Sequence, residues 1–130
     1  MEPFLLTLMY FVLAIIIVII GLVIFESLTK YKDWDEVLNG NNAVALSISG
    51  KIIGICIILA FAVYSSSELV ETLIWGLVGV ALQMIAYFIF ELVTRSFSVE
   101  EQLKKGNVSV GMISLAVSIG LALVIGASIT

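Results

Sequence analysis

Few residues in this 130-residue chain could do chemistry, and those few sit inside apolar runs or at their ends. Lys51 lies eight residues past Ala43, where the second run begins. At a helical rise of ~1.5 Å per residue that is ~12 Å below the boundary of the run. A cation at the centre of a bilayer costs on the order of 2.5 to 3.5 kcal/mol, so Lys51 needs compensation. Gln83 lies eight residues before Glu91 and reaches a similar depth from the same side, so its amide oxygen could accept a bond from Lys51. The alternative is snorkelling, with the ammonium lifted toward Glu26 or Glu91 and the stem laid against the first segment. Glu26 and Glu91 each precede a cation by four residues, Lys30 and Arg95, in the favourable order for a helical pair. Such a pair contributes only about 0.3 to 0.5 kcal/mol when exposed. Repeated around an assembly, the same carboxylates would ring a pore mouth in the manner of cation-selective channels. For Lys51, Gln83 and both carboxylates, a structural role and a place on an ion path therefore stand side by side.

Other chemistries lack their residues. Histidine is absent, which removes the usual zinc and haem constellations. The single cysteine, Cys56, lies within an apolar run and cannot form an intrachain disulfide. No carboxylate pair flanks a pocket, no nucleophile has a base, and no glycine-rich phosphate loop follows a strand. The chain is therefore expected to be no enzyme and to hold no cofactor or metal. Its expected partner is membrane lipid and not nucleic acid.

The elements that carry these residues follow from composition. Hydrophobic residues make up 62% of the chain and charged residues 12%, with a mean hydropathy of +1.22. Soluble domains carry roughly 25% charged residues. The apolar residues form continuous runs at Phe4 to Phe25, Ala43 to Tyr64, Leu69 to Phe90 and Val108 to Ile129. A helix of that length is ~33 Å long and matches a hydrocarbon core of about 30 Å. Continuity rather than alternation favours helix over barrel strand, since a helix satisfies its own backbone in lipid. The start, MEPF, has an acid and no cation, and no small-x-small site follows the first run, so that run reads as a retained helix. The fold class is thus all-α, a four-helix membrane protein.

Orientation follows from the cations. Lys30 and Lys32 lie between runs one and two, and Arg95, Lys104 and Lys105 between runs three and four, while the 2–3 turn and both termini have none. The positive-inside tendency makes those two loops cytoplasmic and puts both termini outside.

The chain also repeats itself. FESLTK at 25–30 returns as FELVTR at 90–95, and GNNAVAL returns as GNVSVGM at the next run. The pattern reads as a tandem duplication of a two-helix hairpin, residues 1–66 and 67–130, related by a pseudo-two-fold axis along the membrane normal. Asp33 and Ser98, each with Glu three residues on (Glu36, Glu101) and Gly-Asn after, predict a short interfacial helix in each loop. Trp34, Val37 and Leu38 would face the membrane in the first, and Phe97, Val99 and Leu103 in the second.

These repeated helix ends and paired Gly-Asn turns resemble the bacterial membrane-protein family known as domain of unknown function 350, or uncharacterised protein family 0719, over essentially the whole chain. The resemblance implies a four-span inner-membrane protein and no established activity. Some relatives accompany phage-shock-type envelope proteins, which implies membrane stress as a context and a stress protein as a possible partner.

The runs differ in kind. The first is bulky and suits lipid, whereas the second and fourth carry small residues, with Gly50, Gly54, Gly111, Ser114, Ser118 and Gly120 at spacings that let helix backbones approach. Because one chain can bury only part of those faces, a homo-oligomer is expected. Two functions from different classes remain: an oligomeric pore or transport module for ions or small solutes, and a scaffold that recruits a partner through its interfacial loops.

Overall fold

The computed structural model describes residues 2–28, 33–94 and 98–130. Their elements are α1 (Pro3–Leu28), α2 (Asp33–Leu38), α3 (Asn42–Ser65), α4 (Leu69–Val93), α5 (Val99–Lys104) and α6 (Val108–Ile129), with no strand among the described residues. Four of them, α1, α3, α4 and α6, are long and apolar enough to cross a membrane. The two short helices lie at one end of this bundle, in the loops that precede α3 and α6.

The helix ends fall slightly beyond the apolar runs. α1 continues past Phe25 to Leu28 and α4 past Phe90 to Val93, so Glu26 and Glu91 are themselves helical. Thr94 then caps α4 by bonding back to the Phe90 carbonyl at 2.8 Å. The partners expected for these carboxylates, Lys30 and Arg95, lie outside the described residues.

Both short helices stop in the same way. Gly40 and Gly106 have φ of 86° and 83°, a region costly for residues with a Cβ. The amide of Gly40 bonds to Val37 O and that of Asn41 to Glu36 O; Gly106 and Asn107 repeat this onto Leu103 and Gln102. This is the Schellman arrangement, which satisfies the last carbonyls of a helix. The asparagines then start the next helices, Asn41 accepting from Val44 N and Asn107 from Val110 N.

The expectation that α5 would rest on the membrane through Val99 and Leu103 is corrected. Both side chains are buried, packed against Ala43, Val44 and Ile48 of α3. Two apolar residues one turn apart gain as much from covering the start of α3 as from lipid, and α3 is nearer. In α2, Val37 joins the same cluster while Trp34 and Leu38 remain exposed. Phe97 and the side chain of Asp33 lie outside the described residues.

The core forms around α3, half of whose apolar window is buried, against 17% for α1. α6 runs along it at backbone contact. A Cβ at Gly50 would come within 2.8 Å of Leu115 Cα, and one at Gly111 within 2.8 Å of Ala43 O. α1 packs on α3 and α4 through Ile17, Phe25, Ile55, Leu59, Val80 and Tyr87. α4 touches both α3 and α6, whereas α1 makes no comparable contact with α6 among the described residues. Exchange of the two halves would demand one, so the halves depart from strict two-fold symmetry.

Candidate functional site

Polar side chains converge where α3, α4 and α6 meet. Ser47 and Lys51 lie one turn apart on α3, Gln83 and Tyr87 on α4, and Ser114 and Ser118 on α6, and all of them are buried. The Ser47 and Ser114 hydroxyls are 3.0 Å apart, and the Tyr87 hydroxyl is 2.7 Å from Ser114 Oγ. Interhelical bonds of this kind contribute about 0.6 kcal/mol on average in a membrane, so the seam is no strong source of stability.

Lys51 is buried within the chain, 4% exposed. Its ammonium lies 5.2 Å from the centroid of the Phe25 ring and 5.0 Å from that of Tyr87, rings that meet edge to face. A desolvated cation over aromatic faces gains about 2 kcal/mol or more, which offsets part of the burial cost. On the side of α2, a cavity of about 10 Å³ is lined by Lys51, Glu26, Phe25, Leu22, Ile48 and Trp34. By that measure it has room for roughly one water. Glu26 thus joins Lys51 at one opening. Glu91 and Glu100 lie within electrostatic reach of the Tyr87 phenol from α4 and α5.

Gln83 does not accept from Lys51, correcting one expectation. Its amide nitrogen donates to the Ser118 carbonyl at 2.9 Å, and its Oε1 is buried without a hydrogen-bond partner among the described residues. The reason is Gly54, where a Cβ would lie 2.8 Å from Gln83 Nε2: the missing side chain lets the amide cross α3 to α6. Ser118 Oγ is likewise buried and unpartnered. This is unusual within the chain. Thr7, Ser49, Ser65, Thr94 and Ser128 bond back to their own helix carbonyls. The seam serines instead point across helices or to no partner.

Beyond Gln83 and Ser118 the seam ends at an apolar layer. Ile58, Ala122 and Ile125 form a buried cluster, and Gly79 lets α4 close on Ile58. The polar column therefore opens near α2 and stops near mid-bundle.

Of the small residues, Gly50, Gly54, Gly111, Ser114 and Ser118 are all buried within one chain. Gly120 is exposed, with nothing within 4 Å of a Cβ built there. The faces expected to join copies are thus largely used inside the chain. Sequence reasoning missed Ser47, Tyr87 and the Phe25 ring. A signal existed in the Gln83, Tyr87, Glu91 stripe, polar at every fourth residue of one helix face. Among the described residues no acidic or cysteine cluster could hold a metal. A larger groove of about 460 Å³ between α1 and α4 is lined by apolar side chains such as Leu8, Val12 and Val70, with no polar group to orient a ligand.

Comparison with known proteins adds the family. The description Domain of Unknown Function (DUF350) matches residues 1–129. The UPF0719 transmembrane protein YshE of Bacillus subtilis is 36% identical over 120 residues, 92% of this chain and 90% of the relative. The UPF0719 inner membrane protein YjfL of Escherichia coli K12 is 27% identical over 103 residues, 79% of this chain and 76% of the relative. No solved structure is a significant match.

Proposed function

The chain belongs to the Domain of Unknown Function (DUF350) family, and from that premise we propose that it is a small-ion transport module of the bacterial inner membrane. One observation carries the reading: three helices bury Ser47, Lys51, Gln83, Tyr87, Ser114 and Ser118 against one another, in a bundle whose other buried side chains among the described residues are apolar apart from Thr72. Apolar side chains would fill the same volume without the cost of burying a cation, and ionisable groups inside a membrane mark ion pathways and proton relays. The apolar layer of Ile58, Ala122 and Ile125 acts as the closed gate of this path, of the kind that opens by wetting. The seam lies within one chain, so the reading requires no second copy, and a homo-oligomer would add only the Glu26 and Glu91 rings. In this proposal the α2 and α5 end, which neighbours Lys30, Lys32, Arg95, Lys104 and Lys105, faces the cytoplasm.

The second reading is a scaffold that recruits a cytoplasmic or envelope-stress partner. It is supported by α2, which leaves Trp34 49% and Leu38 83% exposed at the same end of the bundle. Ion flux separates the two. Purified protein in liposomes should pass at least one of H⁺, Na⁺, K⁺ or Cl⁻ faster than empty liposomes, and Lys51→Met should suppress that flux while the protein stays folded. Wild-type liposomes as tight as empty ones to all four ions would leave the scaffold. For the orientation, Ser66→Cys in a Cys56→Ser background should react with an impermeant thiol reagent on intact cells, and Asn39→Cys should not. The reverse labelling would invert the topology.

A further inference from the structure

We propose that the groove between α1 and α4 seats one phospholipid, with an acyl chain lying in the groove and an amine-bearing headgroup, as in phosphatidylethanolamine, held at its mouth. Such a lipid needs nothing from the polar seam and stands apart from the transport reading.

Depth comes first. The lining runs from Leu8 through Val12 to Ile16 on α1, beside Leu69, Val70 and Leu73 at the start of α4. From Leu8 to Ile16 a helix rises ~12 Å, close to the ~15 Å of one leaflet, half of a hydrocarbon core of about 30 Å. The mouth lies near the membrane surface: Tyr64, 91% exposed at the end of α3, comes just before Leu69, and tyrosine favours the headgroup level. The floor lies at mid-bundle. There Ile17 is buried against Gly76, where a Cβ would lie 3.2 Å from Ile17 Cδ1. Beyond it α1 and α4 stay together through Phe25, Val80 and Tyr87, so the two helices are joined in one leaflet and parted in the other.

That shape decides between the two apolar occupants a membrane offers. A spanning helix of a second copy, ~33 Å long and ~10 Å wide, packs along its length and finds no groove below Ile16. An acyl chain is thin, flexible and one leaflet long. Packing holds it there, because lipid tails are as apolar as leucine, and an unfilled groove leaves its walls without contacts.

Charge chooses the headgroup. α1 and α4 run parallel, Ile17 meeting Gly76 and Phe25 meeting Tyr87, so Glu2 stands at the same end as Glu68 and Glu71, which flank Leu69 and Val70. Ser67 fixes Glu71 there, its amide and hydroxyl donating to the two carboxylate oxygens at 3.3 and 3.1 Å. No lysine or arginine occurs in residues 2–28 or 52–94. A two-fold dimer through this face would set these carboxylates against their own copies, because an isologous contact matches a patch with itself. An anionic headgroup meets the same repulsion. A headgroup ammonium pairs with them instead.

The test mixes the whole chain, purified in mild detergent, with equal amounts of phosphatidylethanolamine and phosphatidylglycerol of the same acyl chains, and reads bound lipid by native mass spectrometry. One phosphatidylethanolamine should stay on each chain, favoured over phosphatidylglycerol by about fivefold or more, the effect of one charge beside a charged headgroup. Val12→Trp and Val70→Trp, exposed side chains on opposite walls, fill the groove and should each abolish the adduct. Ile85→Trp, exposed on α4 below the floor, should keep it. The double variant Glu68→Gln, Glu71→Gln should keep a lipid and lose the preference. Wild-type protein that holds no lipid, a comparison that needs no variant, or an adduct that survives both groove variants, would overturn the site. Equal retention of the two lipids by the wild type would overturn the headgroup, and a wild-type dimer split by Val70→Trp would give the groove to a second copy and overturn the lipid.

Discussion

The two short-helix junctions are built alike down to single bonds, yet the helices they launch have different fates. At each, a glycine of positive φ ends the short helix and an asparagine caps the next. Even the side-chain brace recurs, Asn41 Nδ2 donating to Glu36 Oε1 and Asn107 Nδ2 to Gln102 Oε1. Below the junctions the likeness ends. α3 lies between α1, α4 and α6 and carries Lys51, whereas α6 lies mainly on α3 and has Val117 at the corresponding place, sixty-six residues on. Asn41 also reaches the Leu103 and Lys104 carbonyls at 2.9 and 3.1 Å, a bond to the other half with no described counterpart from Asn107. Local geometry is shared because it depends on a few neighbouring residues. The chemistry is single because only one of the two helices is surrounded.

The sharpest way to break the comparison is at the helix contact. Gly111→Leu pushes a side chain into the Ala43 backbone, which cannot give way, and should cost about 3 kcal/mol or more, the upper range for overpacking. Gly120→Leu, on the open side of α6, should cost almost nothing. Thermal unfolding in mild detergent measures both, and equal losses would show that Gly120 is buried, as a tight oligomer would require.

A smaller effect distinguishes the two caps. Asn107→Ala should cost about 1 kcal/mol, as the loss of a helix N-cap usually does. Asn41→Ala should cost roughly twice that, because the bonds to α5 go as well, each contributing on the order of 1 kcal/mol. Hydrogen exchange at the α5 amides would register the difference, and identical protection in the two variants would contradict the cross-link.

The smallest effect on stability belongs to the largest chemical change. Lys51→Val writes the second half's residue into the first. Removing a buried cation that costs on the order of 2.5 to 3.5 kcal/mol should roughly balance the lost contact with the two rings, leaving the melting temperature nearly unchanged. A drop as large as that of Gly111→Leu would mean that Lys51 holds the bundle together, and its role would then be structural.

Much of this molecule was legible in sequence because it depends on local rules. Runs of about twenty apolar residues specify spanning helices, since no other backbone satisfies itself in lipid. Gly40, Asn41, Gly106 and Asn107 specify their turns through φ and a short side chain. The depth of Lys51 was a matter of counting. Which side of each helix faced which neighbour was not, because the runs are apolar around most of their circumference and carry little directional signal. Only the packed bundle turned Val99 and Leu103 inward, used Gly50, Gly54 and Gly111 within one chain, and sent Gln83 past Gly54 to Ser118 instead of to Lys51. Only the packing, too, set Tyr87 beside Ser114 and under the ammonium of Lys51. Those pairings join residues about thirty to seventy positions apart, and their choice turns on ångström-scale backbone approach, which follows from the fit of whole helices and not from any short stretch of chain.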